Sequence, residues 1–118
     1  MPEITKDFTE KDYRNVVDKV FKHLAHCFDA VDPDVVEYEY SQGAVSIVFS
    51  GGAKCILSTQ PSVRQPWLAV VSKGLGLHFD YNSSQDSWFD DKGKNIELLS
   101  YLEDLVFEST GLRLKIKK

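Results

Sequence analysis

The chain has 118 residues, enough for one domain whose core buries roughly two-thirds of the unfolded surface. Hydrophobic residues make up 42% and the formal net charge is -4, which excludes a disordered chain and disfavours nucleic acid or an anionic membrane as partner. The charge is uneven: residues 1–39 hold ten acids and five bases, and His23 to Ala53 contains no Lys or Arg, a balance that favours cations or a basic protein surface.

The first helix is signalled at its start. Thr9 and Asp12 make a T-x-x-D pattern, a shorter-armed form of the capping box. Phe8 and Tyr13 stand at the two positions of a hydrophobic staple. Tyr13, Val16, Val17, Val20, Phe21, Leu24 and Phe28 then recur at steps of three and four and trace one buried face. The helix ends in Asp29-Ala30-Val31-Asp32-Pro33-Asp34, where Pro33 disfavours helical geometry at Asp32.

Strands follow. In Val35–Tyr40, Val36, Tyr38 and Tyr40 share one face, and Val35, Glu37 and Glu39 share the other. Ala44–Phe49 and Lys54–Thr59 come next, separated by Ser41-Gln42-Gly43 and Ser50-Gly51-Gly52. Such short turns imply antiparallel hairpins. Gln60 to Gln65 reads as a loop. Trp67–Val71 and Leu77–Tyr81 pair across Ser72-Lys73-Gly74, and Ser87–Phe89 is a short last strand. Asn95 is the expected N-cap of a second helix that turns Ile96, Leu99, Leu102, Leu105 and Val106 inward, with Gly111 as a left-handed C-cap. The tail, Leu112 to Lys117, alternates apolar and basic residues and is either an edge strand or an extended segment between the helices.

Two helices cover only one face of such a sheet, so the other meets water. The expected fold class is α+β: a two-layer α/β sandwich, with two helices packed on one face of an antiparallel sheet in a single domain, 1–118. Leu68 and Val70 should point to the helices, and Trp67, Ala69 and Val71 away from them. An outward Trp67 beside Gln65 and Arg64 suits an interface hot spot, the competing reading being a tryptophan packed on neighbouring strand side chains. His78 alternates with Leu77 and Phe79 and should lie near Trp67, while Trp88 reads as structural.

The acids offer a second site. Asp29, Asp32 and Asp34 sit at the helix end and turn, and Glu37 and Glu39 share the outer face of the first strand. Carboxylates are hard ligands, suited to Fe(III), Ca and Mn and acceptable to Fe(II). An exposed cluster of this kind should bind loosely, and a merely solvated acidic face is the competing reading. His23, His26 and Asp29 are spaced in threes and can share a helix face, so a mixed His26–Asp29 metal site is an alternative to two exposed histidines. Cys27 and Cys55 lack C-x-x-C spacing and read as reduced thiols in a reducing compartment. No apolar run approaches the ~18–20 residues of a membrane span, and MPEITKDF has neither signal- nor transit-peptide character. The expected location is cytoplasmic. No nucleophile–base, P-loop or zinc-protease signature is present.

The segment Gln60-Pro61…Gln65-Pro66-Trp67-Leu68, with His78-Phe79-Asp80 behind it and the acidic first helix and strand before it, resembles the frataxin family in its bacterial CyaY-type branch. The likeness spans almost the whole chain. It implies loosely bound iron (Fe2+/Fe3+) on the acidic ridge, here Asp18, His26, Asp29, Asp32, Asp34, Glu37 and Glu39. It implies docking on the cysteine desulfurase and iron–sulfur scaffold protein, with Gln60, Arg64, Gln65 and Trp67 facing the partner. It implies delivery of iron to cluster assembly or regulation of it, the alternative being a metal-independent interaction module. A catalytic role is not expected, though iron oxidation stays open, and the chain should be a monomer whose ridges loaded metal can bridge. One departure stands out: Ala25, His26 and Ala30 occupy places where bacterial relatives usually carry acids, so the ridge is thinner.

Overall fold

The computed structural model describes residues 8–117; residues 1–7, which include most of the segment read for targeting, lie outside them. The elements run α1 (Glu10–Asp29), β1 (Val36–Ser41), β2 (Ala44–Phe49), β3 (Lys54–Gln60), β4 (Gln65–Val70), β5 (Leu75–Asn82), β6 (Ser87–Asp90) and α2 (Leu98–Thr110). The strands form one six-stranded antiparallel sheet in chain order, each paired with its neighbours in sequence. This is the expected two-helix, one-sheet sandwich.

The capping box forms as read: the Asp12 N–H donates to Thr9 Oγ1, and the Thr9 N–H to Asp12 Oδ2. Tyr13, Val17, Val20, Phe21, Leu24 and Phe28 are buried on one helix face. Opposite them lie Val45, Ile47, Phe49, Cys55, Leu57, Leu68, Val70 and Phe79, all buried. The same strands put Ser46, Val48, Ile56, Ser58, Trp67 and Ala69 on the far side, partly or fully exposed. Tyr13 is the rivet between layers. Its ring meets Trp88 edge-on at 5.8 Å. Its hydroxyl donates to the Gln65 carbonyl at 2.8 Å, accepts the Gln60 N–H at 3.2 Å and lies 2.5 Å from Thr59 Oγ1. Phe8 stacks on Tyr81 at 5.6 Å. Trp88 is structural, as expected, at 2% exposure.

Several boundaries differ from the sequence reading. Val71 is not in a strand: it opens a 3-10 turn, Val71–Lys73, that closes the β4–β5 hairpin through left-handed Gly74. Pro61–Val63 forms a like turn ending on left-handed Arg64. Asn95 is not the cap of α2. It adopts φ 58°, a left-handed conformation that Asn tolerates, and the cap is Glu97, whose carboxylate accepts from the Leu99 and Ser100 N–H groups. Ile96 therefore precedes the helix; its carbonyl accepts the Asp90 N–H and its own N–H donates to Asp90 Oδ1. Asp90, 7% exposed, also accepts from the Lys92 and Lys94 N–H groups. Burial pushes its carboxyl up, but those three N–H groups and the Lys94 charge outweigh it and hold it below the ordinary 3.8.

The tail settles as the extended segment, clasped by both helices. Ile116 is fully buried, which is worth roughly 1.5–3 kcal/mol. Glu103 of α2 accepts the Ile116 and Lys117 N–H groups, both at 2.9 Å. His23 of α1 meets the Ile116 carbonyl through Nε2 at 2.7 Å, and the Cys27 thiol donates to the Lys115 carbonyl at 3.7 Å. The Lys117 and Ile116 N–H groups hold the Glu103 carboxyl below its ordinary 4.5. Its contribution is therefore complete above that ordinary value and is lost only as pH falls through the lower folded one. Replacing Glu103 by Ala should cost about 1–3 kcal/mol in chemical denaturation. It should also raise the reactivity of Cys27 toward a thiol reagent, with buried Cys55 as the slow internal reference. Unchanged Cys27 reactivity and stability would show that the clasp does not hold the tail.

Candidate functional site

Two groups of expected site residues fall in different places. The first surrounds Trp67 on the outer sheet face. Trp67 and Ala69 point away from the helices, while Leu68 and Val70 are buried beneath. Register sets Trp67 between Ser58 of β3 and His78 of β5. The imidazole of His78 stacks on the indole, 4.2 Å between centroids and 14° between planes. The Trp67 indole N–H donates to Gln65 Oε1 at 2.9 Å. Gln65 Nε2 in turn donates to Asp80 Oδ1 and Asp91 Oδ2. Gln60 faces Gln65 across the β3–β4 junction and is half-buried. Arg64 takes φ 54°, and its Nε is buried with no hydrogen-bond partner among the described residues. Its placement is set by the left-handed end of the preceding turn, which local composition did not reveal.

The second group is the acidic ridge, and it is strung out. Asp29 ends α1 and is exposed, as are Asp32, Asp34, Glu37 and Glu39. Asp32 shapes its own loop: its carboxylate accepts the Asp34 N–H at 2.9 Å and its carbonyl accepts from Val35 and Val36. Glu37 and Glu39 face outward on β1, opposite Val48 and Ser46. They lie on an edge strand, where charge also guards against pairing with another chain. Asp18 stands apart. It is eleven residues before Asp29, about 16 Å along the helix, and its carboxylate pairs with Lys22 at 3.1 Å. Among the described residues, no three His, Cys, Asp or Glu side chains gather closely enough to hold a metal. The ridge offers separate hard oxygen donors and no preformed cage.

The two helical histidines do not converge. His23 is half-buried, turned into the groove between the helices, where its Nε2 serves the Ile116 carbonyl and lies 3.6 Å from the Cys27 sulfur. His26 is exposed, one turn before exposed Asp29. Burial, followed by the Glu103 charge, pushes the Cys27 thiol above its ordinary 9.0. Burial alone takes Cys55 to about 12. Neither sulfur is thus a thiolate at neutral pH, and both are free, as expected.

Sequence reasoning missed Asp80 and Asp91. Asp80 was legible as outward from the alternation around His78 and Phe79. Asp91 was not, since a loop carries no period; it is placed because its N–H donates to the His78 carbonyl at 2.8 Å.

A meander sheet covered on one face by two helices, with an aromatic pair on the bare face and exposed acids along its first edge, defines a two-layer α+β sandwich domain. Comparison with known proteins gives the class a family. The frataxin-like domain family matches residues 6–112. An iron-sulfur cluster assembly protein CyaY of Pseudomonas fluorescens is 34% identical over 109 residues, covering 92% of this chain and 96% of that one. Its counterpart from strain SBW25 is 39% identical over 104 residues, covering 87% and 90%. The chain belongs to the frataxin family, in its CyaY-type branch. Among solved structures, the frataxin of Psychromonas ingrahamii superposes with a TM-score of 0.81 at 21% identity, covering 93% of this chain and 99% of that one. A trimeric frataxin of Saccharomyces cerevisiae complexed with ferrous gives 0.58 at 20% identity, covering 95% and 94%. At these identities the solved structures show the fold.

We propose that His26 and Asp29, both exposed and three residues apart on α1, hold a borderline cation weakly. His26→Ala should remove the Co(II)-induced NMR shifts of residues 26–29 and weaken Co(II) binding. Unchanged Co(II) affinity removes His26 from the site.

Proposed function

We propose that this protein binds iron loosely on its acidic ridge. It delivers iron to iron–sulfur cluster assembly, or regulates that assembly, by docking on the cysteine desulfurase and scaffold complex in the cytoplasm. The observation that carries the reading is the bare sheet face, on which Trp67 of β4 is held ready in the same sheet whose first edge strand, β1, bears Glu37 and Glu39. Membership of the family supports it, as do the relatives named for iron–sulfur cluster assembly and the yeast frataxin complexed with ferrous. Exposed carboxylates without a closed coordination shell suit transient loading, and iron is cargo here. The role is that of an assembly factor.

One observation favours a second reading, a metal-independent interaction module: no three candidate ligands converge among the described residues. In that reading the ridge serves only to meet a basic patch on the desulfurase.

An anaerobic Fe(II) titration followed by amide-resolved NMR, run beside partner binding at several salt concentrations, separates the two. Fe(II) should broaden residues of the His26–Glu39 stretch selectively. Partner affinity should fall as salt rises, because the contact is electrostatic. Reversing both Glu37 and Glu39 to Lys should weaken the partner complex about tenfold or more and reduce the broadening. Partner binding lost without any iron effect in the wild-type chain would select the interaction module. Salt-insensitive docking with no localised iron effect at millimolar iron would contradict both.

A further inference from the structure

A chain of hydrogen bonds on the outer face of β4 and β5 ends on Trp67. Gln65 Nε2 donates to Asp80 Oδ1 at 2.9 Å and to Asp91 Oδ2 at 3.0 Å. Gln65 Oε1 accepts the Trp67 indole N–H at 2.9 Å. A carboxamide has two N–H donors and an indole has one, so every donor in the chain is used internally. Both terminal acceptors are carboxylates, which makes those bonds charge-assisted and strong. Such an arrangement fixes which way the Gln65 amide points, and with it the edge of the indole that carries the N–H.

The chain has a firm footing. Asp80 lies within β5, and the Asp91 N–H donates to the His78 carbonyl. Just before it, Asp90 gathers the N–H groups of Lys92, Lys94 and Ile96 and fixes the loop. His78 then covers one face of the indole, with its Nδ1 3.7 Å from Asp91 Oδ2. Around this pair the outer face is low. Ser58 stands opposite Trp67 with Ala44 beyond it, and the next row holds exposed Ala69 and Gly76, with half-buried Ile56 on the far side of Ala69. A Cβ added at Gly76 would meet nothing within 4 Å.

We propose that Gln65, Asp80 and Asp91 form a positioning strut that holds Trp67 as a preformed aromatic knob, its N–H turned to the protein and away from the partner. This rests on the docking reading above and assigns roles within it. Recognition at Trp67 runs through ring carbon atoms, so the partner surface that fits it is an apolar cleft with no acceptor aimed at the indole N–H. Gln65 is a positioning residue that acts through Trp67, and Asp80 and Asp91 act through Gln65. The side-chain ordering that docking would otherwise require is already complete in the free protein.

The strut is tested first without a partner. In NMR of the free protein, Gln65→Ala and the double variant Asp80→Ala/Asp91→Ala should each shift the Trp67 indole N–H signal and speed its exchange with water. The buried Trp88 indole serves as reference. Asp80→Asn/Asp91→Asn, which keeps acceptor oxygens, should restore most of the wild-type signal. Binding to the desulfurase–scaffold complex should weaken by about threefold to tenfold in each alanine variant, and combining them should add no further loss. An unmoved indole signal in Asp80→Ala/Asp91→Ala overturns the strut. So do additive binding losses, which would make Gln65 a contact in its own right. Undiminished binding by Trp67→Ala overturns the docking reading instead, and the free-protein indole signal still decides the strut.

Discussion

The molecule depends on one asymmetry: both helices pack against the same face of the sheet. The cause is alternation. Val45, Ile47 and Phe49 of β2, Cys55 and Leu57 of β3, and Leu68 and Val70 of β4 all turn to α1 and α2, so their strand neighbours must turn to water. A slip of one residue in any strand would exchange the two sets. Tyr13 fixes the arrangement at the β3–β4 junction, since one buried hydroxyl bonds the end of both strands from the helix layer. The residues that follow this junction, Gln65 and Trp67, inherit their position from it.

The bare face and the acidic ridge differ in how far they are organised in advance. Around Trp67, three side-chain hydrogen bonds and a stacked imidazole fix the geometry. Along the ridge, each carboxylate is exposed and largely separate, with Asp32 engaged in its own loop and Asp18 paired to Lys22. Rigid apolar anchors give an interface its specificity, and dispersed charge raises the rate of encounter and its salt dependence. In the proposed function the same dispersed charge would hold a cation only weakly, which suits a metal that must be passed on. The two regions thus divide the proposed work between orientation and attraction.

Much of this was legible in the sequence, for identifiable reasons. The Thr9–Asp12 cap and the three-four spacing of α1 are local signals, and both hold. The alternation that put Trp67 outward and Leu68 inward is equally local, and so is the nearness of His78. What escaped depends on contacts distant in sequence. Asn95 looks like a helix cap, but the Asp90 carboxylate draws the following Ile96 N–H into its loop and moves the helix start to Leu98. The tail's alternation fits a strand, yet Glu103 and His23 recruit its backbone from opposite sides. His23 and His26 share a spacing, but the groove beside the tail takes only the first. Asp91 had no signal at all, because its role exists only once the β6–α2 loop folds back on β5.

The most direct test is the footprint of the cysteine desulfurase–scaffold complex on the isotope-labelled protein, mapped by cross-saturation NMR. The expected footprint covers the outward residues of β3, β4 and β5 around Trp67 and extends along the acidic ridge, through Glu37 and Glu39 on β1 to Asp29 at the end of α1, leaving the outer surface of α2 untouched. A footprint centred on the helices, or one that spares Trp67 and its strand neighbours, would contradict the claim that the uncovered sheet face is the working surface.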